Sequence, residues 1–311
     1  METALANNKL RLIVTGKCNL DCFYCHNEGQ VKEDTFISPE FMSRVIRFLE
    51  LERTPINEVT ISGGEPLLHP EIFEIVEQSK RLAQSVTLVS NGVLLNPGVV
   101  ESLEASGLSK LRLGIDSLRL RKPRPSPGTL DADFDAHAIV EMCRSAGVRT
   151  ELNTVLTRFN ARQIEDLLAF AVENHLSIKF FEHVDVDEFG DVANKADMKP
   201  EPLVSMERFQ EAIDSVVGRH LELREVEIYR GANLACTIGS SEIRYCKYLC
   251  PYGLCWTTGT RIDSRGYVYN CMSNRGSATI SSTMTDADLA AVVAKASQAR
   301  CNLGEPVRVR R

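Results

Sequence analysis

Short apolar runs recur along the first 182 residues, each followed by a stretch with helical spacing. The runs at 10–15, 58–62, 86–90, 110–114, 150–155 and 178–182 are rich in Val, Ile, Leu or Thr. That composition predicts six buried parallel strands. Helices are predicted between them. Ser38-Pro39 supplies an N-cap and a first-turn proline, and Asn96-Pro97 repeats the pair. Asn160 followed by Gln163 reads as a capping box. Gly107 and Gly147 stand where two helices should end. Six strand–helix units are too few for a closed eight-fold barrel. The predicted fold class is α/β, with a partial (βα)6 barrel over residues 1–182. Ligands of such folds collect at the C-terminal ends of the strands.

After residue 182 the alternation stops. Residues 185–202 are acidic and contain proline, as a linker does. An amphipathic helix is expected at 205–219, and a hairpin over 260–263 and 267–270 turning through Ser264-Arg265-Gly266. A last helix is expected at 285–299, with Thr285 as cap and Asp288 three residues on. These elements predict a second, small α+β domain at 183–311. Residues 119–128 carry three prolines and four basic residues, which forbid a regular element. They read as a lid over the barrel mouth or as a solvated loop.

A chain of 311 residues that is 43% hydrophobic and 25% charged is long and apolar enough for a soluble enzyme with a large core. The net charge of -6 gives no support for nucleic-acid binding. No run is long enough to span a bilayer, and the residues before Leu10 lack a signal-peptide core. The expected location is cytoplasmic, without nucleic-acid or membrane partners. Ten cysteines are then too many to explain as disulfides. They cluster at 18–25 and 236–271, with Cys143 and Cys301 outlying, which points to metal or cluster ligation.

Cys18-x3-Cys22-x2-Cys25 follows the first strand. Three thiolates on one loop can hold three irons of a cubane and leave the fourth iron open. Zinc is the alternative, but it usually takes a fourth ligand and none is close by. Ser62-Gly63-Gly64-Glu65-Pro66 follows the second strand. Its glycines let backbone approach a ligand closely, and the Glu65 carboxylate suits an ammonium group. The two motifs together resemble the radical S-adenosylmethionine (radical SAM) superfamily.

The resemblance continues in Ser90-Asn91-Gly92, Gly114-Ile115-Asp116-Ser117 and Leu152-Asn153-Thr154-Val155-Leu156, which are similar to the molybdenum-cofactor GTP 3',8-cyclase branch. It implies a [4Fe-4S] cluster with an open iron site on Cys18, Cys22 and Cys25. It also implies S-adenosylmethionine held by Gly63, Gly64, Glu65, Asn91, Asp116 and Asn153, with Tyr24 near the adenine. An electron donor such as flavodoxin would reduce the cluster. The resulting 5'-deoxyadenosyl radical abstracts a substrate hydrogen. His26 and His69 read as loop packing or as proton shuttles.

Cys246-x3-Cys250-x4-Cys255 precedes the expected hairpin and Cys271 follows it. Cys255-x10-Gly266-x4-Cys271 resembles the auxiliary-cluster motif of the short twitch domain found in this superfamily. A hairpin brings its flanks together. Cys255 and Cys271 are thus expected to share a second, auxiliary [4Fe-4S] cluster, with Cys250 or Cys246 third and Cys301 fourth. A spare thiol beside the substrate would return a hydrogen atom. Cys250 is the first candidate for that catalytic role and Cys246 the second. A spare cysteine is otherwise a small buried hydrophobe, the reading given to Cys143 and Cys236.

A GTP cyclase holds a triphosphate with Arg and Lys. Arg11 stands where that branch has an arginine, and Arg261 matches one of a later pair whose other member is Gly259 here. Thr60 replaces an expected arginine and Glu151 an expected lysine. The chain ends in Arg308-Val309-Arg310-Arg311, without the cyclase's Gly-Gly tail. Glu151, Glu182, Asp185, Asp187, Glu188 and Asp191 instead predict a carboxylate-lined mouth, although 185–191 also reads as a solvated linker. Glu151, Glu182 and Arg261 are the candidate substrate contacts. The expected substrate is a small cationic or polyhydroxylated natural product, an amino sugar or aminoglycoside, undergoing epimerisation or dehydrogenation. A nucleotide-modifying cyclase is the alternative, followed by a peptide maturase, for whose docking domain the residues before Leu10 leave no room.

Overall fold

The computed structural model describes residues 5, 8–22, 24–25, 27–29, 32–118, 135–157, 160–182, 206–220, 223–229, 233–246, 259–269, 279–281 and 284–298. All six predicted strands form: β1 (Lys9–Ile13), β2 (Glu58–Ser62), β3 (Ser85–Ser90), β4 (Lys110–Gly114), β5 (Thr150–Leu156) and β6 (Ser177–Glu182). They pair in parallel in chain order. Burial alternates along β4 and β5, while β2 is buried from Val59 to Ser62. In β5, Thr150, Leu152, Thr154 and Leu156 are buried, while Glu151, Asn153 and Val155 are partly exposed. A strand with period two buries one face and leaves the other for a different task. Here one face packs on helices and the other lines a polar interior, so the strands are not apolar on both sides.

The helices start where the caps predict. The Ser38 hydroxyl accepts from the Phe41 amide at 3.1 Å and opens α1 (Pro39–Leu51). Asn96 does the same through the Val99 amide, 3.1 Å, for α3 (Pro97–Ala105), which follows α2 (Ile72–Leu82). Asp135 caps α4 (Ala136–Ser145). Gly107 and Gly147 adopt φ of +88° and +73° just beyond α3 and α4, the left-handed geometry that ends a helix.

The expected capping box at Asn160 does not form. A 3-10 turn, Ala161–Gln163, leads into α5 (Ile164–Glu173), and the Asn160 side chain makes no cap. Its carbonyl accepts from the Thr157 amide (2.7 Å) and hydroxyl (3.1 Å). Its amide donates to the carbonyls of Asp116 and Val155, both at 2.9 Å. Gln163 accepts from the Ser117 hydroxyl at 2.9 Å. A buried amide with four partners at the ends of β4 and β5 gains more there than at a helix terminus.

The C-terminal segment supplies α6 (Met206–His220), β7 (Leu223–Tyr229), β8 (Asn233–Ile238), β9 (Ser241–Cys246), β10 (Thr260–Asp263), β11 (Val268–Tyr269) and α7 (Asp286–Gln298). The sheet runs β11-β10-β1-β2-β3-β4-β5-β6-β9-β8-β7 and does not close. β10 lies parallel to β1, and β9 lies parallel to β6. The half-barrel therefore gains one parallel strand at each edge from the tail of the chain. The hairpin β10–β11 turns at Gly266, as predicted, with φ +81°. Thr285 and Asp288 cap α7 reciprocally: the Asp288 amide donates to the Thr285 hydroxyl (3.3 Å) and the Thr285 amide to the Asp288 carboxylate (2.9 Å).

Strands β7 to β9 were not among the expected elements. Their signals are the alternation in Leu223–Tyr229 and the two-residue turn Gly239-Ser240 between register partners Ile238 and Ser241. Phe209 on α6 packs this edge. Its ring stacks on Tyr245 at 4.5 Å and meets Phe180 edge-on at 5.2 Å. Cys143 and Cys236 are buried core thiols, as read, and burial pushes both up, Cys236 to about 11. Among the described residues no helix is long and apolar enough to cross a membrane.

Candidate active site

The inner face of the half-barrel encloses an open cavity of about 620 Å³. The loop after β1 carries the three cysteines to one side of it. Cys18, Cys22 and Cys25 all line the cavity. The Leu20 amide donates to the Cys18 sulfur at 3.4 Å and the Asn27 amide to the Cys25 sulfur at 3.3 Å. Burial pushes the Cys18 thiol up to about 12, against the Leu20 hydrogen bond. A buried thiol of this kind becomes a thiolate when a metal supplies the positive charge. Among the described residues no three Cys, His, Asp or Glu gather as one metal ion needs. A cubane asks for something else, with each thiolate on a different iron. Amide donors to sulfur and three cavity-facing thiols fit that group.

Gly63 and Gly64 also meet a second demand, from the backbone of the cysteine loop. A Cβ at Gly63 would lie 2.5 Å from the Thr15 carbonyl oxygen, and one at Gly64 would lie 2.1 Å from that of Lys17. The Gly64 amide donates to the Thr15 carbonyl and the Glu65 amide to the Lys17 carbonyl, both at 2.8 Å. The glycines thus let the second motif zip onto the cysteine loop. The close approach is between two backbones as well as toward the cavity that both glycines line.

Glu65 is fully buried. One carboxylate oxygen accepts from the Leu67 amide (3.1 Å) and the Ser90 hydroxyl (2.8 Å). The other accepts from the Asn91 amide at 2.8 Å. These donors fix the orientation of the carboxylate. Glu65 pins the end of β3 and caps the turn Pro66–Leu68. The Asn91 side chain donates to Asn19 at 2.7 Å and lies 4.0 Å from the Cys18 sulfur. Asp116 accepts the Val155 amide at 2.9 Å on one oxygen and the Tyr24 hydroxyl on the other. Burial, then the Asp116 charge, pushes the Tyr24 phenol up. Tyr24, Asn91, Asp116 and Asn153 line the cavity together with the cysteines.

The expected carboxylate-lined mouth is not what surrounds Glu151. It is the second residue of β5, toward the N-terminal end of the strand. Lys110 reaches it at 2.7 Å, Arg112 at 3.0 Å and Arg149 at 3.7 Å. Burial raises its pKa, but the Lys110 hydrogen bond and the Arg112 charge outweigh burial and hold it below the usual range. Glu58 is held down in the same way, with Thr87, Lys9 and Arg112 outweighing burial. Besides the three thiols and Tyr24, seven cationic side chains (Lys9, Arg11, Lys110, Arg112, Lys179, Arg244 and Arg261) and five carboxylates (Glu28, Glu58, Asp116, Glu151 and Glu242) line the cavity, so its charged side chains are net basic.

Arg261 on β10 and Arg11 on β1 are register partners and both line this cavity. Glu28, just after the cysteines, pairs with Arg11, and one of its oxygens lies 3.8 Å from the Arg261 Nε. Sequence reading missed Glu28, Lys110, Arg112, Lys179 and Arg244. For the four cations the available signal was a charge set among apolar neighbours on a strand; Glu28 lies in the turn Asn27–Gly29 and had no such signal.

Glu182 ends β6 opposite Leu156, and Cys246 ends β9 opposite Phe181. Cys250, Cys255, Cys271 and Cys301 lie outside the described residues, as do His26, Asp185, Asp187, Glu188, Asp191 and residues 119–128. His69 is a packing residue. Its Nε2 meets the Ile37 carbonyl at 2.7 Å, its Nδ1 accepts the Glu71 amide at 3.1 Å, and its ring meets Phe36 edge-on.

The chain is 30% identical over 188 residues to the GTP 3',8-cyclase of Clostridium perfringens, covering 58% of this chain and 56% of that protein. It is 30% identical over 174 residues to the "Probable GTP 3',8-cyclase" of Pyrococcus horikoshii, covering 56% and 55%. The chain thus spans about half the length of the curated relatives it matches. Among solved structures, Streptococcus suis SuiB bound to its precursor peptide SuiA superposes with TM-score 0.63 at 18% identity, covering 92% of this chain and 64% of that one. The enzyme anSMEcpe with bound AdoMet gives 0.61 at 16%, covering 87% and 76%. These two likenesses establish the fold. Residues 12–171, half of the chain, match the family model described as the radical SAM superfamily. The protein belongs to the radical SAM superfamily, enzymes that work with a [4Fe-4S] cluster and S-adenosylmethionine.

Proposed function

We propose that this radical SAM enzyme acts on a polyanionic nucleotide and that hydrogen abstraction starts a ring closure, as in a GTP cyclase. The observation that carries this is the net basic cavity, with Arg11 and Arg261 side by side near the cysteine loop. The objection that Glu151 would repel a phosphate falls away, because three cations already neutralise it. The same pairing removes the main ground for an amino-sugar substrate. The likeness to proteins named GTP 3',8-cyclase supports the nucleotide reading.

In this reading Cys18, Cys22 and Cys25 hold the reducing cluster. The cluster and S-adenosylmethionine together supply a 5'-deoxyadenosyl radical. Gly63 and Gly64 fix the loop that presents the thiols. Glu65 puts a buried negative charge behind the cavity wall, where a methionyl ammonium is favoured. Asp116 and Tyr24 tie the cysteine loop to the end of β4 beside Asn153. Arg11 and Arg261 offer planar guanidinium groups to phosphate oxygens. Cys255 and Cys271, with Cys246, Cys250 or Cys301, hold the auxiliary cluster, and a small acidic electron carrier of the flavodoxin kind reduces the enzyme.

The test is anaerobic turnover of cluster-loaded protein with S-adenosylmethionine, dithionite and GTP, with an aminoglycoside in a parallel reaction. The expected result is 5'-deoxyadenosine formed in step with GTP consumption and a new nucleotide product. Untouched GTP alongside an epimerised or oxidised aminoglycoside would overturn the reading.

A further inference from the structure

Arg11 and Arg261 stand directly opposite one another on parallel strands, in the same register row and facing the same cavity. Like charges in that relation destabilise a sheet. Both are largely buried, with the Arg11 and Arg261 side chains 15% and 3% exposed. Something must compensate, and among the described residues Glu28, itself only 14% exposed, lies against both. One of its carboxylate oxygens pairs with Arg11, and the other lies 3.8 Å from Arg261.

Glu28 reaches that position at a conformational cost. Asn27 and Glu28 both adopt left-handed backbone, with φ of +46° and +54°. Asparagine tolerates that conformation better than other residues with a Cβ, but for Glu28 it is strained and persists only where the surroundings enforce it. The Tyr269 hydroxyl, on the strand beside Arg261, donates to the Glu28 carbonyl at 3.0 Å. The Asn27 side chain donates to the Gly16 carbonyl at 3.3 Å. The tail of the chain and the cysteine loop thus hold Glu28 between the two guanidinium groups.

We infer that Glu28 is a specificity-determining residue, an internal carboxylate that occupies the anion site of Arg11 and Arg261 and that a substrate must displace. A single carboxylate yields to a ligand with more negative charge and more acceptor oxygens, such as a nucleoside triphosphate. It holds its place against weakly charged ligands. Glu28 thereby raises the charge a ligand needs in order to enter. This rests on the nucleotide reading above and adds the residue that enforces it.

The experiment measures GTP and GMP binding by calorimetry to cluster-loaded protein with S-adenosylmethionine, for wild type, Glu28→Gln and Glu28→Gly. Gln keeps the shape of the side chain. Gly removes the carboxylate and accepts the left-handed backbone without strain. Iron content per chain verifies loading. The expected result is GTP affinity about tenfold tighter in both variants, the scale of one charge-assisted pair no longer broken. The gain for GMP should be at least as large. Wild type that binds GTP while both loaded variants bind it no more tightly overturns the inference and leaves the nucleotide reading standing. Absence of GTP binding in all three proteins overturns the nucleotide reading itself. Loss of iron from both variants makes Glu28 a brace of the cysteine loop and also overturns the inference.

Discussion

Gly64 and Lys17 approach so closely that no side chain fits between them: a Cβ on Gly64 would stand 2.1 Å from the Lys17 carbonyl oxygen. Lys17 immediately precedes Cys18, so this contact sets the path of the loop that carries the thiols. Gly64→Ala must push the two backbones apart and break the 2.8 Å bond from the Glu65 amide to Lys17. We expect this variant to retain well under half of the wild-type iron after anaerobic reconstitution. Gly98→Ala is the control. Its nearest neighbour would be 3.5 Å away, at the flexible Asn96 side chain, and its iron content should be unchanged.

The three cavity-facing thiols and the two core thiols should separate cleanly under substitution. Cys18→Ala, Cys22→Ala and Cys25→Ala are each expected to abolish reductive cleavage of S-adenosylmethionine and to lower bound iron by about one cubane, four atoms per chain. Cys143→Ala and Cys236→Ala should keep both properties, because those sulfurs sit in the apolar core. Iron and acid-labile sulfide assays on the five proteins decide the matter. Full iron in the first three would place the cluster elsewhere.

Glu151 and Glu58 make the fold sensitive to acid in a defined direction. Both carboxyls have folded values held below their ordinary 4.5. A depressed value means that the stabilisation is fully present above about 4.5 and is lost as pH falls through the lower folded value. Denaturant unfolding should therefore show a falling stability below that pH. Glu151→Gln leaves Lys110 and Arg112 without their shared counter-charge. It should be less stable than wild type at pH 7 and lose less on acidification. Equal pH slopes for the two proteins would show that the pairing contributes nothing.

Asn160 carries more of the local structure than its place before a helix suggests. Its side chain satisfies the Thr157 amide and the carbonyls of Asp116 and Val155, and it is buried. Asn160→Ala strands several of these groups, and we expect a loss of about 3 kcal/mol by chemical denaturation. Asn160→Asp should recover only part of this, since a carboxylate accepts the amide but cannot donate to the two carbonyls.

The six strands were legible because each is a short run carrying Val, Ile, Leu or Thr between punctuated helices, and the cysteine and Gly-Gly-Glu motifs were legible because each is contiguous in sequence. What escaped sequence reading depends on partners far apart along the chain. Nothing near Glu151 announces that Arg112, thirty-nine residues earlier, will neutralise it. Glu151 taken alone suggested an acidic mouth, whereas the strand register gives a paired charge in a basic cavity. Asn160 likewise matched a local capping pattern, and buried carbonyls at two strand ends claimed its side chain. Strands β7 and β8 form an antiparallel ribbon, and three of the seven residues of β7 are charged, a weaker signal than an apolar run. The glycines of the second motif stood out in the sequence, but that they must also admit the backbone of the first motif did not.

The two strands flanking the half-barrel, β9 and β10, are synthesised after all six strands between them. Until residues 241–263 leave the ribosome, β1 and β6 each keep one bare hydrogen-bonding edge, and Arg11 has a strand neighbour only on the β2 side, at Thr60. Exposed edges of that kind recruit other chains. Slow translation or early termination should therefore yield insoluble product, and co-expressed chaperones should raise recovery of the intact protein more than they raise its thermal stability.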